Sequence, residues 1–212
     1  LGLEHKYVPE EYQNGIYYFK NKVEVGSDPL KALDFDDIVL DLAVTSNRAD
    51  LMSMKGMAQE IGAIFRRPLL KEEYKIKYEK EQAEDILDIK IETEDCLLYT
   101  GFLVKDIEIK ESPQFIKSRL IASGIRPINN IVDITNYILM LFGQPLHAFD
   151  YDKVGNTILV RKANSNETIK TLDDTLRKLK DEDILITDVV KGIALAGVMG
   201  GLETEITSDT KN

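Results

Sequence analysis

Little in this chain supports metal or disulfide chemistry. Cys96 is the one cysteine among 212 residues, which excludes an internal disulfide and fits a reducing compartment such as the cytoplasm. A lone cysteine in a strand-like stretch reads as packing rather than as a nucleophile. The two histidines, His5 and His147, stand at positions unrelated to that cysteine, so no zinc-ligand spacing arises. No Gly-x-Ser-x-Gly elbow occurs, and a serine-hydrolase mechanism has no support. No apolar run approaches the roughly 18 residues of a membrane span, the amino terminus lacks a signal-peptide pattern, and no membrane partner is expected. Internal repeats and low-complexity tracts are also missing.

Positive charge is outweighed. Against 37 acidic residues stand 27 lysines and arginines, a formal net charge of -10. That balance excludes a broad electrostatic grip on nucleic acid, so any RNA contact must be a local patch. Apolar residues make up 43% of the chain, enough for a real core. The chain opens on Leu1 without a methionine and closes on Thr210-Lys-Asn in a strand-like segment, which leads us to expect an internal piece of a longer protein.

The most informative stretch is residues 124–150. Asn129 or Asn130 can cap a helix there, because a short side-chain carbonyl accepts from unpaired first-turn N–H groups. Ile131, Ile134, Ile138, Leu139, Leu141 and Phe142 supply an apolar surface wider than one stripe, predicting a helix covered on most sides. Gly143 can end it in the left-handed conformation, and Pro145 cannot restart it.

Elsewhere the pattern predicts short strands and turns over residues 1–40, with a β-rich run at 15–19 and a short helix at 30–33. A strand is expected at 38–44, then a polar turn whose Asp50 caps an amphipathic helix over 51–65. Asn47-Arg48-Ala49-Asp50 reads as a turn held by side-chain hydrogen bonds, or else Arg48 reaches an RNA phosphate or a partner carboxylate. Mixed charges over 66–85 read as a solvated connector. Strands follow at 86–92 and 97–109. Ser112-Pro113 then starts a helix whose buried face is Phe115, Ile116, Leu120 and Ile121, ended by Gly124. Further strands are expected at 157–161, 167–171, 184–188 and 192–196. Strands, two helices, then many strands predict an α+β fold with mixed or antiparallel sheets and a few packed helices: a small amino-terminal α/β part and a larger module.

Several residues could carry chemistry. His147 reads as a hydrogen-bonded structural residue, or as a neutral imidazole that takes a proton from water or bonds a ribose hydroxyl. Arg126 offers a planar fork suited to phosphate, or forms a surface ion pair. Thr135 and Asn136 are polar positions within the apolar helix. Gly197-Val-Met-Gly-Gly, carrying Met199, Gly200 and Gly201, matches neither the dinucleotide fingerprint nor the P-loop. It reads as a tight β-turn, or as a backbone cradle that approaches a ligand carbonyl.

Several long motifs in register resemble the beta subunit of bacterial phenylalanyl-tRNA synthetase, in the module that edits mischarged tRNA. They are Gly124-Ile-Arg-Pro-Ile-Asn-Asn, Val132-Asp-Ile-Thr-Asn-Tyr and Gly143-Gln-Pro-Leu-His-Ala-Phe-Asp, with Leu42-Ala-Val-Thr-Ser-Asn-Arg-Ala-Asp upstream and Ala194-Leu-Ala-Gly-Val-Met-Gly-Gly downstream. The resemblance implies the tail of an oligonucleotide-binding-type fold at 1–40, a strand-helix segment at 41–70, a connector at 71–90 and the editing module at 91–212. It implies hydrolysis of tyrosine wrongly attached to tRNA(Phe), beside an alpha subunit in an alpha2-beta2 assembly that uses ATP and magnesium elsewhere. Within the module, His147 and Asn136 would place the water or ribose, while Arg126, Thr135, Met199, Gly200 and Gly201 would bind the charged acceptor end. No metal or cofactor is expected in this segment. The family's pocket glutamate would follow the segment matching Thr210-Lys-Asn, and neither Glu203 nor Glu205 matches it, so an incomplete pocket is expected. The competing expectation is a non-catalytic domain that docks tRNA or stabilises the subunit.

Overall fold

A computed structural model of the chain describes residues 16–71, 73–78 and 80–212. His5, and the first residue of the β-rich run at 15–19, lie outside the described residues. The fold is α+β, and the chain divides into two compact units, Leu1–Glu72 with Lys110–Leu146, and Glu73–Ile109 with His147–Asn212.

The first unit is helical. Helix α1, Pro29–Ala32, is capped by Asp28, whose carboxylate accepts from the Leu30 N–H at 2.9 Å. Helix α2 spans Met54–Phe65 and helix α3 spans Gln114–Ala122. Helix α4, Asn130–Phe142, begins where the Asn129 side chain accepts from the N–H groups of Ile131 and Val132. It ends at Gly143, whose φ of 74° is the left-handed geometry that suits a residue without a Cβ. Helices α3 and α4 meet through an edge-to-face contact of Phe115 and Tyr137, ring centres 6.2 Å apart.

The second unit is a sheet. Its strands are β1 (Asp88–Ile91), β2 (Thr157–Lys162), β3 (Thr168–Lys170), β4 (Leu176–Lys178), β5 (Ile184–Thr187), β6 (Gly192–Leu195) and β7 (Met199–Gly200), with a short helix α5, Tyr151–Val154, before β2. One sheet runs β1-β2-β5-β6-β7, parallel at β1/β2 and antiparallel elsewhere, while β3 and β4 form a separate hairpin. Successive residues in β5 serve opposite faces, as strand pleating requires. Ile186 packs with Val154, Ile158, Val160, Ile193 and Ala194 in one cluster, and Leu185 with Ala163, Ile169 and Leu179 in another. Burial on both faces explains why Ile158, Leu159 and Val160 can all be hidden in sequence.

Several sequence expectations need correction. Residues 38–44 form no strand; Ile38 is 83% exposed, and no neighbour among the described residues supplies ladder bonds. The same holds for 16–19 and for 97–109, where Leu97 and Phe102 are largely exposed and a backbone bond from Ile107 to the Lys211 carbonyl stands in for a ladder. Alternation makes a strand only when a partner edge is present. Helix α2 is capped by Ser53, because Asp50 is taken by Arg48, which also reaches Glu60 at 2.8 Å. That pairing supports the structural reading of the Asn47–Asp50 turn. Ser112 does not cap α3, since its hydroxyl donates to Asp133. Phe115, expected on the buried face of α3, is exposed, while Ile116 and Leu120 are buried. Helix α4 is not covered on most sides: Asp133 is its one fully buried residue, and Ile134 and Phe142 are exposed. Strands β4 and β7 were not anticipated.

Candidate functional site

The candidate residues fall into two sets. In the helical unit, Arg126 is exposed and has no ion-pair or hydrogen-bond partner among the described residues. The loop that carries it is tied down just after Arg126. Ile128 donates its N–H to Asp133 at 2.7 Å, and Asn130 donates its backbone N–H to the Lys110 carbonyl at 2.8 Å. Asp133 is closed to solvent. Desolvation raises its pKa, opposed by the bonds from Ser112 and Ile128. Thr135 and Asn136 sit side by side on α4, both half-buried. The Thr135 hydroxyl donates to the Val132 carbonyl at 2.7 Å, which uses its proton but leaves its lone pairs free to accept. Asn136 has no hydrogen-bond partner among the described residues, so its amide is available.

In the sheet unit, His147 rests on the glycine hairpin. A Cβ built at Gly200 would collide with Cε1 and Nε2 of His147 and come within 3.2 Å of Leu172 Cδ1. Only glycine lets the imidazole lie this close to the strand. Phe149 meets the same ring edge-on, ring centres 4.6 Å apart. The crowding of protein around the ring lowers its pKa, so the imidazole is neutral at neutral pH. The residue nonetheless keeps an exposed surface, and that open side limits how far desolvation acts. Exposure on one side and a backbone strand on the other is an arrangement that can accept a proton or position water.

The cradle itself is partly used. Gly201 donates its N–H to the Ile193 carbonyl at 2.7 Å, and the Gly200 carbonyl accepts from Leu172 at 3.1 Å. A Cβ at Gly201 would meet the Ile193 carbonyl oxygen at 2.6 Å, so this glycine is required by strand packing. Met199 is half-buried and pairs with Leu195 across the hairpin. Glu203, which did not match the family glutamate, is occupied by Lys191.

Sequence reasoning missed Asp150, Phe149 and Leu172. Asp150 is buried three residues after His147 and makes long-range bonds, of which its position carries no local signal. Among the described residues no cluster of His, Cys, Asp or Glu could hold a metal ion. No helix among them is long and apolar enough to cross a membrane.

Residues 95–212 match the family model of the B3/4 domain, more than half of the chain, and the chain belongs to that family. Curated relatives extend the match to nearly the full length. It is 48% identical over 99% of the chain to the phenylalanine–tRNA ligase beta subunit of Geobacillus kaustophilus, and 47% identical over its whole length to that of Bacillus subtilis. The resemblance drawn from the motifs therefore stands. The chain spans 26% of the length of each of these relatives. Among solved structures, an amino-terminal fragment of the phenylalanyl-tRNA synthetase beta subunit from Pyrococcus horikoshii is 19% identical, with a TM-score of 0.38 over 78% of this chain and 50% of that one.

Proposed function

We propose that this chain is part of the beta subunit of a phenylalanine–tRNA ligase, and that it binds the acceptor end of tRNA(Phe) and hydrolyses tyrosine wrongly attached to it. The observation that carries the reading is the half-open imidazole of His147 lying on the Gly200 strand. The need is physical: an apolar pocket shaped for phenylalanine rejects an added hydroxyl only about a hundredfold, so a second, hydrolytic selection is required. In this reading Arg126 meets the terminal adenosine or its phosphate, Thr135 accepts from the bound end, and Asn136 with His147 places the ribose or the attacking water. Because the Gly201 N–H is already bonded, carbonyl polarisation falls to the Gly200 end of the Met199–Gly201 turn. The ester is activated, so positioning water supplies much of the rate without a covalent nucleophile.

The proposal also includes an alpha-subunit partner, ATP and magnesium used elsewhere in that assembly, and a division into the tail at 1–40, segments 41–70 and 71–90, and an editing module at 91–212. Glu203 held by Lys191 supports the view that the tyrosine-selective carboxylate is not among these residues.

The second reading is a tRNA-docking domain without catalysis, favoured by one observation: Arg126 is exposed with its guanidinium uncommitted. Deacylation of Tyr-tRNA(Phe) by the full-length ligase separates the two. His147→Ala should slow it by on the order of ten- to a thousandfold. An unchanged rate with tRNA binding intact would leave docking as the function. Arg126→Ala should weaken binding of the charged end without lowering the melting temperature.

A further inference from the structure

Asp150 is a buried carboxylate outside the set of residues considered so far, and every bond it makes reaches the strand-turn segment beneath His147 or the short helix after it. Its backbone N–H donates to the Thr204 carbonyl at 3.1 Å. Its Oδ2 accepts from the Thr210 hydroxyl at 2.8 Å and pairs with the Lys153 ammonium at 3.3 Å, while Oδ1 accepts from the Asp152 N–H at 3.2 Å. The Thr210 hydroxyl in turn accepts from the Thr207 N–H, and Lys153 donates to the Glu205 carbonyl at 2.9 Å. The carboxylate thus holds Thr210 directly and Glu205 through Lys153, while the backbone N–H holds Thr204, all against the loop that carries His147.

The register of these contacts gives them meaning. His147 touches Gly200, and three residues later Asp150 bonds Thr204, four residues past that glycine. Two segments run beside each other in the same direction, pinned at both ends, with the Phe149 ring against the imidazole between the pins. A loop held only at His147 could swing the ring off the strand. The backbone bond to Thr204 opposes this, and the carboxylate keeps that bond in register by holding Thr210 and Lys153, at a site where a displacement of about 1 Å costs on the order of a hundredfold in rate. We infer that Asp150 is the positioning residue for His147, its carboxylate holding the imidazole over Gly200 through Thr210 and Lys153, which keep the backbone bond to Thr204 in register. This rests on the reading of His147 as the group that handles water or ribose.

Two measurements test it. The first is nuclear Overhauser contact between the His147 ring protons and Gly200 in the isotope-labelled 212-residue chain, which needs no activity. Asp150→Ala should weaken that contact severalfold while leaving Phe115–Tyr137 ring contacts in the helical unit unchanged. Asp150→Asn retains an acceptor for Thr210 and Asp152 and should keep it. An intact contact in folded Asp150→Ala, or a loss in Asp150→Asn as complete as in Asp150→Ala, overturns the inference. If Asp150→Ala does not fold, Thr210→Val removes one bond with little change of volume and decides the matter in the same way. The second is deacylation by the full-length ligase, where Asp150→Ala should lower kcat on the order of tenfold with KM nearly unchanged. A ligase that does not deacylate Tyr-tRNA(Phe) at all would sink the editing reading and leave the first measurement to judge Asp150.

Discussion

The two units hide their apolar surface to very different degrees. In the sheet unit, Ile158, Val160, Leu185, Ile186, Ile193 and Ala194 form a continuous interior over both faces of the central strands. In the helical unit, only Leu33, Ile116, Leu120 and Pro127 are buried apolar residues among those described, and the fully hidden residue of α4 is a carboxylate. The sheet unit is held by burial. The helical unit is held by capping and by side-chain polar bonds, buried at one place: Asn129 and Ser53 at helix starts, Arg48 on the surface between Asp50 and Glu60, and buried Asp133 between Ser112 and Ile128. The difference bears on the candidate residues, because the glycine cradle and His147 stand on the better-packed scaffold while Arg126, Thr135 and Asn136 stand on the other.

The sharpest test of this contrast is a core truncation. Leu185→Ala removes a side chain with no exposed surface, and should cost about 3 kcal/mol by chemical denaturation. Ile64→Ala, on the exposed face of α2, should cost less than about 0.5 kcal/mol. Equal losses at the two positions would mean that the face of α2 is covered in solution and would dissolve the comparison.

Gly200→Ala comes next, with an expected cost of about 1–3 kcal/mol, because the added methyl must push the imidazole away or bend the strand. The His147 ring resonances should move, and deacylation should fall with them. An alanine variant with wild-type stability and an unmoved ring would show that the close approach does not hold in solution.

Asp133 tests the polar half of the contrast through pH. Its folded pKa lies above its unfolded value, so its contribution to stability is fully present below about pH 4 and is lost as pH rises through the folded pKa. Asp133→Asn stays neutral and should flatten that part of the stability-against-pH curve. A variant with the same slope as the wild type would assign the dependence to other groups.

The smallest effect expected is at His147. Its folded pKa is depressed by burial, so its contribution is present above about pH 6.5 and is lost as pH falls through the folded pKa. A proton titration of the ring should show a midpoint below the ordinary imidazole value. A midpoint above it would point to an acidic neighbour that the packing does not show.

Much was legible from residues alone where the physics is local. Asn129 capping α4 and Gly143 ending it depend on groups two to four residues away. The apolar runs at β2, β5 and β6 announced themselves because a strand buried on both faces needs apolar residues in succession. The α+β class followed from the order of those elements, and the long motifs pointed to the family that the B3/4 match establishes. Other features were decided only when distant segments met. Whether residues 38–44 become a strand depends on a neighbour's hydrogen bonds and not on alternation. Ser112 spends its hydroxyl on a carboxylate 21 positions away instead of capping the helix beside it. His147 gains its seat from a glycine 53 positions on, and Asp150 its hold from a threonine 60 positions on. Capping and periodicity are read within one or two turns of chain, whereas these contacts depend on tertiary packing that no local pattern encodes.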